Sequence, residues 1–375
     1  MIVWLLNPYH TGSHRAWAEG YAAHSRHTVR LLTMEGRFWK WRMQGGALEL
    51  AALARARVSA GEKPDVVLAT SMVNLPAWLA LLRGEPGLAR VPCVLYMHEN
   101  QLTYPPPPGT KRDLAYGMIQ HLAMLAADRV CFNSAYHLKS WFAELPRLLK
   151  HFPDYTHLES IATARDRCLI LPVGCDLRRL DPHPAAAGAG SATGGPLLLW
   201  NQRWEHDKDP TTMLRALYAL AAEGLPFRVA LVGENFRVLP AEFIEARERL
   251  GERLAHYGYL AEDRDYARCL QEASVVCSTA LHEFFGVGIL EAMYCGCVPV
   301  LPNRLSYPEL LPAEYHERCL YDDFAGLLAR LRASLAAPQA LPGLRAAAAR
   351  FDWAAQAPAY DELLAAVRRD SAPGA

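Results

Sequence analysis

The stretch A-L-H-E-F-F-G-V-G-I-L-E-A-M-Y-C-G-C, residues 280 to 297, decides the fold of the second half of this chain. It predicts a short apolar strand that runs through His282 and Glu283, a pinched turn at Gly286 and Gly288, and a helix that carries Glu291. If the helix begins near Gly286, its first free N–H groups and its dipole favour an anion such as a diphosphate. The stretch therefore points to a sugar-nucleotide site.

The two carboxylates of this stretch have different predicted positions. Glu291 lies about one turn into the helix, where it can accept hydrogen bonds from both hydroxyls of a ribose, and Glu283 stays in the loop that faces the sugar. The alternative is a solvated pair on an amphipathic helix. Glu234 and Glu242 have the same spacing, but Pro240 between them interrupts any helix.

A second charged stretch, L-L-L-W-N-Q-R-W-E-H-D-K-D-P, occupies residues 197 to 210. Its apolar start predicts a strand, and Asp209 followed by Pro210 has the N-cap and first-turn chemistry of a helix. Arg203 and Lys208 then lie at the carboxyl end of a strand, where ligands bind in open α/β sheets. Both cations can neutralise a departing nucleoside diphosphate. The alternative is a surface loop in which they pair with its own acidic residues.

Strands and helices alternate along the chain. The predicted strands are residues 2–6, 28–32, 65–70, 93–97, 129–132 and 168–172, and then 197–200, 227–232, 255–258, 274–278 and 298–301. Longer helical stretches lie between them, such as 74–83, 113–127 and 136–142. This alternation predicts two parallel sheets with helices on both faces, each a doubly wound domain.

Several sequence blocks carry a resemblance to known families. The two stretches above resemble the glycosyltransferase family 4 signature, an Arg and a Lys followed by Glu-x7-Glu. The tRNA-queuosine alpha-mannosyltransferase family is resembled more closely, in R-W-E-H-D-K-D-P (203–210), A-L-H-E-F-F-G-V (280–287), E-A-M-Y-C-G-C (291–297), Y-M-H-E-N-Q-L-T-Y-P (96–105) and G-S-H (12–14). These blocks touch both halves of the chain.

The resemblance implies a GT-B fold, with two Rossmann-like domains that face a cleft and a C-terminal helix that crosses back. We expect residues 1–180 to form an N-terminal acceptor domain, 181–196 a linker rich in Pro, Ala, Gly and Ser, 197–350 a nucleotide-sugar domain, and 351–375 the returning helix. The implied activity is retaining transfer of mannose from GDP-mannose to queuosine in a tRNA anticodon, of the tRNA-Asp type. Because Arg203 and Lys208 supply positive charge, we expect no metal or other cofactor.

The site residues follow from these patterns and from the resemblance. The predicted donor-binding residues are Arg203, Lys208, Gly233, Glu283, Phe285, Gly286, Val287 and Glu291, and the predicted catalytic residues are Glu283, Arg203, Lys208 and His98. By the resemblance, His98 meets hydroxyls of the donor sugar, although a His that ends a buried strand is more often a core residue. The expected reaction is same-face attack, in which Glu283 forms no covalent bond to the sugar.

The first half supplies the predicted acceptor side. Residues 98–100 follow a strand, residues 104–109 form a stiff proline-rich loop, and residues 12–14 give a tight turn at a helix start. The predicted acceptor-side residues are Gly12, Ser13, His14, Glu99, Asn100, Tyr104, Lys111 and Arg112. Lys111 and Arg112 touch acceptor phosphate or are ordinary surface.

Composition fits a soluble two-domain enzyme. The chain has 375 residues, no formal net charge and nine cysteines, an odd number scattered through strands and helices, which is typical of buried thiols in a reducing compartment. Its apolar runs are shorter than the roughly 18 residues that span a bilayer. We therefore expect a cytoplasmic protein without stable membrane association, whose oligomeric state the sequence does not address.

The charge is uneven in spite of the zero net charge. Between residues 26 and 57, seven basic residues stand against two acidic ones, a balance of +5, with Phe38, Trp39 and Trp41 among them. Aromatic rings between cations can stack on bases while the cations hold the RNA backbone. A solvated helix face with buried tryptophans is the equal alternative.

Two other functions compete with the transfer to tRNA. One is a glycosyltransferase that acts on a lipid or polysaccharide precursor, for which an exposed amphipathic basic helix would be the sign. The other is a non-catalytic RNA-binding protein on the same scaffold. The presence of Arg203, Lys208, Glu283 and Glu291 together argues against the second.

Overall fold

The computed structural model of the chain describes residues 1–106, 109–181, 194–233 and 239–371. Most of the predicted linker, Glu234 and two prolines of the proline-rich loop lie outside the described residues. The chain divides into two compact units. The first comprises Met1–Cys175 and Phe351–Ala375, and the second comprises Asp176–Arg350.

The first unit is built on six parallel strands in the order β2-β1-β3-β4-β5-β6. Their bounds are β1 Ile2–His10, β2 Thr28–Glu35, β3 Val66–Thr70, β4 Cys93–Met97, β5 Arg129–Phe132 and β6 Cys168–Ile170. The central strands β3 and β4 are buried at every residue. Continuous apolar runs of this kind are typical of parallel strands covered on both faces.

Six helices connect these strands. They are α1 Gly12–His24, α2 Trp39–Ser59, α3 Leu75–Leu82, α4 Leu114–Ala126, α5 Ala135–Leu149 and α6 Ser160–Asp166. Side-chain caps define several helix starts, because Asn74, Asp113 and Ser134 accept hydrogen bonds from backbone amides of the first turn.

The second unit repeats the architecture with the strand order β12-β11-β10-β7-β8-β9, again parallel throughout. Its strands are β7 Leu197–Asn201, β8 Arg228–Val232, β9 Leu254–Gly258, β10 Val275–Cys277, β11 Val298–Pro302 and β12 Leu320–Tyr321. Its helices are α7 Pro210–Ala222, α8 Ala241–Leu250, α9 Asp263–Glu272, α10 Val287–Tyr294, α11 Tyr307–Leu310, α12 His316–Cys319, α13 Phe324–Ala336 and α14 Leu344–Ala349.

The last helix, α15 (Trp353–Asp370), belongs to the first unit. It packs on α1, where Trp17 Nε1 donates to the Tyr360 hydroxyl at 3.1 Å and the Tyr21 hydroxyl donates to Asp361 Oδ1 at 2.8 Å. These partners are more than 300 residues apart in sequence. The C-terminal helix is therefore part of the N-terminal unit, where it packs on the first helix.

Each sheet has one switch point, a pair of neighbouring strands from which the strand order runs outward in opposite directions. In the first unit it lies between β1 and β3, and in the second unit it lies between β7 and β10. Loops that follow neighbouring strands at such a point diverge and leave a crevice at the carboxyl ends, where ligands of open α/β sheets bind. Residues 12–14 follow β1, residues 203–208 follow β7, and residues 278–286 follow β10.

The predicted α/β class with two Rossmann-like sheets is confirmed. The predicted strand through His282 and Glu283 is wrong, because β10 ends at Cys277 and residues 278–286 form a loop. The amides of Leu281 and His282 donate to the carbonyl of Asp207 in a neighbouring loop, which takes the place of a strand ladder. The two-residue β12 was not predicted.

Candidate active site

Two loops of the second unit, residues 203–209 and 278–286, are tied together by backbone hydrogen bonds. The Asp207 carbonyl accepts from the amides of Leu281 at 2.8 Å and His282 at 3.2 Å. The Thr279 hydroxyl donates to the carbonyls of Lys208 and Asp209, both at 2.9 Å. The two sequence stretches that were predicted to form one site therefore lie side by side at the switch point of the sheet.

Lys208 lies at the centre of this junction, with only 9% of its side chain exposed. Its ammonium donates to the His282 carbonyl at 2.8 Å and to Glu283 Oε2 at 3.2 Å, and lies 3.4 Å from Asp207 Oδ2. A cation that is removed from water needs such partners. The loop residues therefore hold a positive charge in a fixed place.

Arg203 has a different environment, because 47% of its side chain is exposed. Its guanidinium pairs with Glu205 at 2.9 Å and lies 3.9 Å from Asp207. The ion pairs that sequence analysis gave as the alternative for this loop are thus present. An exposed ion pair contributes little to stability, so a phosphate group can compete for the guanidinium.

Glu283 lies in the 278–286 loop, next to Lys208. Its Oε1 accepts from the backbone amides of Phe284 at 3.1 Å and Phe285 at 3.2 Å. Burial raises the pKa of Glu283, but the Lys208 ammonium and the Phe285 amide outweigh burial, and the pKa lies below its ordinary value. The carboxylate is therefore ionised at neutral pH.

The turn at Gly286 has the predicted geometry. Gly286 has φ +101°, a left-handed conformation, and is the N-cap of α10, which begins at Val287 as expected. A Cβ at this position would lie 3.2 to 3.3 Å from Leu310 and Tyr307, so glycine also permits close packing. Neither a side-chain cap nor an acidic residue occupies the first turn of α10. Such a helix start favours an anion.

Phe285 and Tyr307 take part in hydrogen bonds that hold the 278–286 loop in place. Phe285 is buried, and its carbonyl accepts from the Ser306 hydroxyl at 3.0 Å. The Tyr307 and Ser278 hydroxyls share a hydrogen bond of 2.6 Å, and Gln202 Nε2 donates to the Ser278 hydroxyl at 2.8 Å. These residues fix the backbone that carries Glu283.

Glu291 lies in α10 and is 8% exposed. Its Oε1 accepts from Arg179 at 2.5 Å and its Oε2 accepts from the Tyr266 hydroxyl at 2.7 Å. Burial raises the pKa of Glu291 above its ordinary value, although Arg179 and Tyr266 oppose the rise. The predicted ribose contact stays a prediction, and the structure places two side-chain donors on the same carboxylate.

Arg179, Tyr266 and Asn201 are site residues that sequence analysis missed. Asn201 Nδ2 donates to the Tyr266 hydroxyl at 3.0 Å and to the Gly288 carbonyl at 2.9 Å, so it joins the end of β7 to α10. Arg179 is 112 residues from Glu291 in sequence. No local pattern marks a pairing over that distance.

Gly233, which follows β8, has φ +151°. A Cβ there would lie 2.0 Å from the Gln202 carbonyl oxygen, so the strand ends approach too closely for any side chain. Packing alone therefore requires this glycine. Its predicted contact with the nucleotide stays a prediction, and Glu234 beside it lies outside the described residues.

In the first unit, His98 follows β4 and lies among aromatic rings. Its ring centroid is 4.5 Å from His14, 4.4 Å from Trp17 and 4.7 Å from Tyr96. Burial and then the nearby His14 and His137 rings hold the pKa of His98 well below its ordinary value. Burial likewise lowers the pKa of His14 to about 4. Both imidazoles are therefore neutral at pH 7.

The other predicted acceptor-side residues divide into structural and exposed groups. Asn100 is fully buried, and its Oδ1 accepts from the amides of Leu102 and Thr103 at 3.0 and 2.9 Å, so its carboxamide oxygen holds a turn. Glu99 Oε1 accepts from Gln101 at 3.1 Å. The exposed or half-exposed members are Gly12, Ser13, Tyr104, Lys111 and Arg112, and Gly12 begins α1 with φ +47°.

The described part of the chain contains neither a cluster of metal ligands nor a membrane-spanning helix. Across residues 1–106, 109–181, 194–233 and 239–371, no group of three or more His, Cys, Asp or Glu side chains is arranged to hold a metal ion. Within the same ranges, no helix combines the length and apolar character that crossing a bilayer requires. All nine cysteines are free thiols.

Comparison with known proteins relates both units to glycosyltransferases. Residues 2–175 match the family described as tRNA-queuosine alpha-mannosyltransferase N-terminal, and residues 186–329 match Glycosyl transferases group 1. The tRNA-queuosine alpha-mannosyltransferase of Drosophila melanogaster is 32% identical over 315 residues, which cover 83% of this chain and 81% of that protein. A GDP-mannose-dependent alpha-(1-6)-phosphatidylinositol dimannoside mannosyltransferase of Mycobacterium tuberculosis is 26% identical over 147 residues, 38% of each chain.

Solved structures show the same fold at lower identity. Sucrose-phosphate synthase from Thermosynechococcus elongatus has a TM-score of 0.72 and 17% identity, with 98% of this chain and 100% of that chain covered. The UDP complex of HepE from Anabaena has a TM-score of 0.69 and 17% identity, over 98% of this chain and 100% of that chain. The predicted GT-B fold is thereby confirmed.

Proposed function

Because the chain belongs to the tRNA-queuosine alpha-mannosyltransferase family, we propose that it transfers mannose from GDP-mannose to queuosine in the anticodon of a tRNA, with retained anomeric configuration. The observation that carries this proposal is the 32% identity with the Drosophila enzyme over 83% of the chain. The mycobacterial relative, whose name includes GDP-mannose, supports the choice of donor over 38% of the chain.

The donor side of the proposal rests on Lys208, Arg203 and the start of α10. Negative charge builds up on the departing diphosphate as the bond between it and the sugar breaks. Lys208 is held by Glu283 and the His282 carbonyl before any substrate arrives, and Arg203 is half-exposed beside it. Positive charge that is fixed in advance stabilises such a transition state without reorganisation.

In the proposed step, the acceptor attacks the sugar from the same face that the diphosphate leaves. The bond between the anomeric carbon and the diphosphate oxygen breaks, and the acceptor hydroxyl oxygen forms its bond to that carbon on the same face. The proton of the acceptor hydroxyl passes to an oxygen of the leaving phosphate. No covalent sugar on the protein forms, and the anomeric configuration is retained.

Glu283 acts as an ionised group in this proposal. Burial raises its pKa, but the Lys208 ammonium and the Phe285 amide outweigh burial and hold the pKa below the ordinary value, so the carboxylate carries no proton to donate at neutral pH. Its role is to fix Lys208 and to accept hydrogen bonds from the sugar. Donation of a proton by a raised-pKa carboxyl group, as in many glycosidases, does not fit this environment.

The first unit would provide uncharged contacts. His98 and His14 are neutral at pH 7 and lie 4.5 Å apart by ring centroids. A neutral imidazole can donate and accept hydrogen bonds with hydroxyl groups. In the proposal, as the family resemblance implies, His98 contacts hydroxyls of the mannose.

The proposal places the reaction in the cytoplasm and requires no metal, because the two basic side chains supply the positive charge. Activity should therefore persist after chelation of divalent ions with EDTA. If transfer is lost and added Mg²⁺ or Mn²⁺ restores it, this part of the proposal is wrong. The proposed donor and acceptor would not be affected by that result.

A second candidate function has its own support. The mycobacterial relative is named for a phosphatidylinositol dimannoside acceptor, and a relative from Xanthomonas oryzae, 24% identical over 141 residues, is named for a cellobiosyl-diphosphopolyprenol acceptor. Both cover less than two fifths of this chain. Mannosyl transfer to a lipid-linked acceptor is therefore the competing proposal.

The decisive experiment incubates the purified protein with GDP-mannose and queuosine-containing tRNA, beside the same tRNA lacking queuosine. Nucleoside mass spectrometry should show queuosine heavier by one hexose in the first reaction only. UDP-glucose and GDP-glucose serve as donor controls. Absence of product with intact GDP-mannose binding would direct the search to lipid-linked acceptors.

A further inference from the structure

The start of α2 in the first unit carries two exposed aromatic side chains. Phe38 is 77% exposed and Trp41 is 60% exposed, and Arg37, Lys40 and Arg42 are their neighbours in the sequence. We define these five residues as the α2 patch. Two exposed aromatic side chains close in sequence to three cations are typical of a surface that binds a ligand with flat faces and negative charge.

Phe38 is exposed in a strained backbone. It has φ +52°, a left-handed conformation, and is the N-cap of α2, where it makes no side-chain cap hydrogen bond. Asn, Asp, Ser or Gly would suit that position better. A bulky residue that neither packs in the core nor caps its helix lowers local stability, and backbone strain of this kind is typical of functional surfaces.

The structure divides the basic stretch of residues 26–57 into two parts. Four of its seven cations pair elsewhere, namely Arg26 with Asp361, Arg30 and Arg57 with Glu62, and Arg55 with Glu85. The other three are those of the α2 patch. Glu35 is the acid near them, and its pair with Arg37, at 3.6 Å, is exposed on both sides. The patch therefore keeps an excess of positive charge.

Lys40 of the α2 patch connects to His14 and His98 through two groups of rings that share one buried cluster. Trp39 lies 5.0 Å from Tyr116 by ring centroids, and Lys40 lies over both rings at 5.7 and 5.9 Å. Tyr9 and Trp39 pack against the same buried cluster. Tyr9 in turn lies 5.9 Å from His14, which contacts His98. The patch thus lies beside the carboxyl ends of β1 and β4.

We propose that the α2 patch binds single-stranded RNA of the anticodon loop, with unstacked bases on Phe38 and Trp41 and phosphates on Arg37, Lys40 and Arg42. This inference rests on the proposed function, because it names the surface that presents queuosine to the site. Aromatic rings between cations are the usual means of binding splayed bases. A membrane surface fits less well, since the patch is small and lies next to the predicted acceptor residues.

The test measures binding of a labelled, queuosine-containing anticodon stem-loop by fluorescence anisotropy. Trp41→Ala and Phe38→Asn should each raise Kd about 5-fold or more. Asn accepts the left-handed conformation and caps helices, so Phe38→Asn should leave Tm unchanged or higher. Trp41→Phe should retain most of the affinity. Arg37→Gln and Arg42→Gln should each remove one phosphate contact. The slope of log Kd against log salt concentration should therefore fall by about one in each variant.

Matched controls come from the same unit. Leu48 is 62% exposed and lies two turns further along α2, and Tyr155 is 82% exposed elsewhere on the unit. Leu48→Ala and Tyr155→Ala should bind the stem-loop as the wild type does. In steady-state transfer, the patch variants should raise KM for tRNA and leave KM for GDP-mannose unchanged.

The outcomes separate this inference from the proposed function. Wild-type transfer to queuosine with unaltered tRNA binding by both patch variants would overturn the inference alone. Stem-loop binding that depends on Phe38 and Trp41, without transfer of mannose, would overturn the proposed function and support the patch. Loss of binding to phosphatidylserine-containing vesicles in Trp41→Ala, with stem-loop binding intact, would assign the surface to membranes and overturn the inference.

Discussion

The two units carry different chemistry at the carboxyl ends of their strands. In the second unit, the loops after β7 and β10 hold a buried ammonium against an ionised carboxylate, Lys208 and Glu283 at 3.2 Å. In the first unit, His14 in α1, which follows β1, and His98, which follows β4, are kept neutral at pH 7 by burial. Fixed charge therefore characterises the loops of the second unit, and neutral rings characterise the first unit.

Removal of the buried cation should have the largest effect. Lys208→Met takes away the charge that would stabilise the departing diphosphate, so kcat should fall about 100- to 1000-fold, on the scale of losing one oxyanion-stabilising donor. It also leaves Glu283 beside an apolar side chain, so Tm should fall. The measurement is steady-state transfer beside thermal unfolding.

The double variant Lys208→Met/Glu283→Gln separates the two effects. It removes both charges, so Tm should recover toward the wild type while kcat stays low. A single Lys208→Met variant with near-normal kcat would show that the contrast between the two units has no part in catalysis.

Loss of the carboxylate charge should have the next largest effect. Glu283→Gln keeps the shape of the loop but removes the carboxylate that fixes Lys208 and accepts hydrogen bonds from the sugar, so kcat should fall about 10- to 100-fold. Intact mass spectrometry after incubation with donor should show no hexose on the protein. A hexose adduct would establish Glu283 as a nucleophile and refute same-face attack.

His14, which is neutral in the folded protein, should make the free energy of unfolding depend on pH. The pKa of His14 is lowered by burial from its ordinary value of 6.5 to about 4 in the folded protein, so the unfolded chain binds the proton first as pH falls. His14 therefore contributes no penalty above pH 6.5, and at pH 5 it should lower the free energy of unfolding by about 2 kcal/mol.

Urea unfolding at pH 7 and pH 5 measures this effect. His14→Phe cannot titrate, so it should lose less stability than the wild type between the two pH values. The buried His282 of the second unit also has a pKa of about 4. His282→Phe is therefore the corresponding variant in that unit for the same measurement. Equal pH dependence in wild type and His14→Phe would contradict the assignment.

The smallest effect is expected at Glu291. Glu291→Ala removes the predicted ribose contact, so KM for the donor should rise about 5- to 10-fold with little change in kcat. Arg179→Met leaves the carboxylate free of one of its two side-chain donors and should change donor KM without changing kcat. A fall in kcat alone in Glu291→Ala would move this residue from donor binding to chemistry.

Much of the fold was predictable because it depends on local patterns. The strands at residues 93–97 and 129–132 have the predicted bounds, and Asp209 caps α7 through the amide of Thr212 at 3.1 Å, with Pro210 in the first turn. The start of α10 after Gly286 was predicted from the glycine turn. Apolar periodicity and capping residues report such features because each depends on a few neighbouring residues.

The loop at residues 278–286 shows where local patterns fail. Its apolar residues favour a strand, but its amides donate to the Asp207 carbonyl of another loop. Gly233 shows a related limit, because its glycine is required by the Gln202 carbonyl and not by any neighbour in sequence. Backbone hydrogen bonds to a distant loop override propensity, and short-range periodicity contains no sign of them.

The sequence by itself determined the alternation of strands and helices, the two parallel sheets, the helix starts at Pro210 and Val287, and the family. Tertiary structure alone decided that Lys208 meets Glu283 across 75 residues, that Arg179 binds Glu291 across 112, and that four cations of the basic stretch are paired away from Phe38 and Trp41. The physical reason is that propensity and periodicity act within one element. Charge pairing, burial and the pKa of a side chain depend on which elements the sheet brings together.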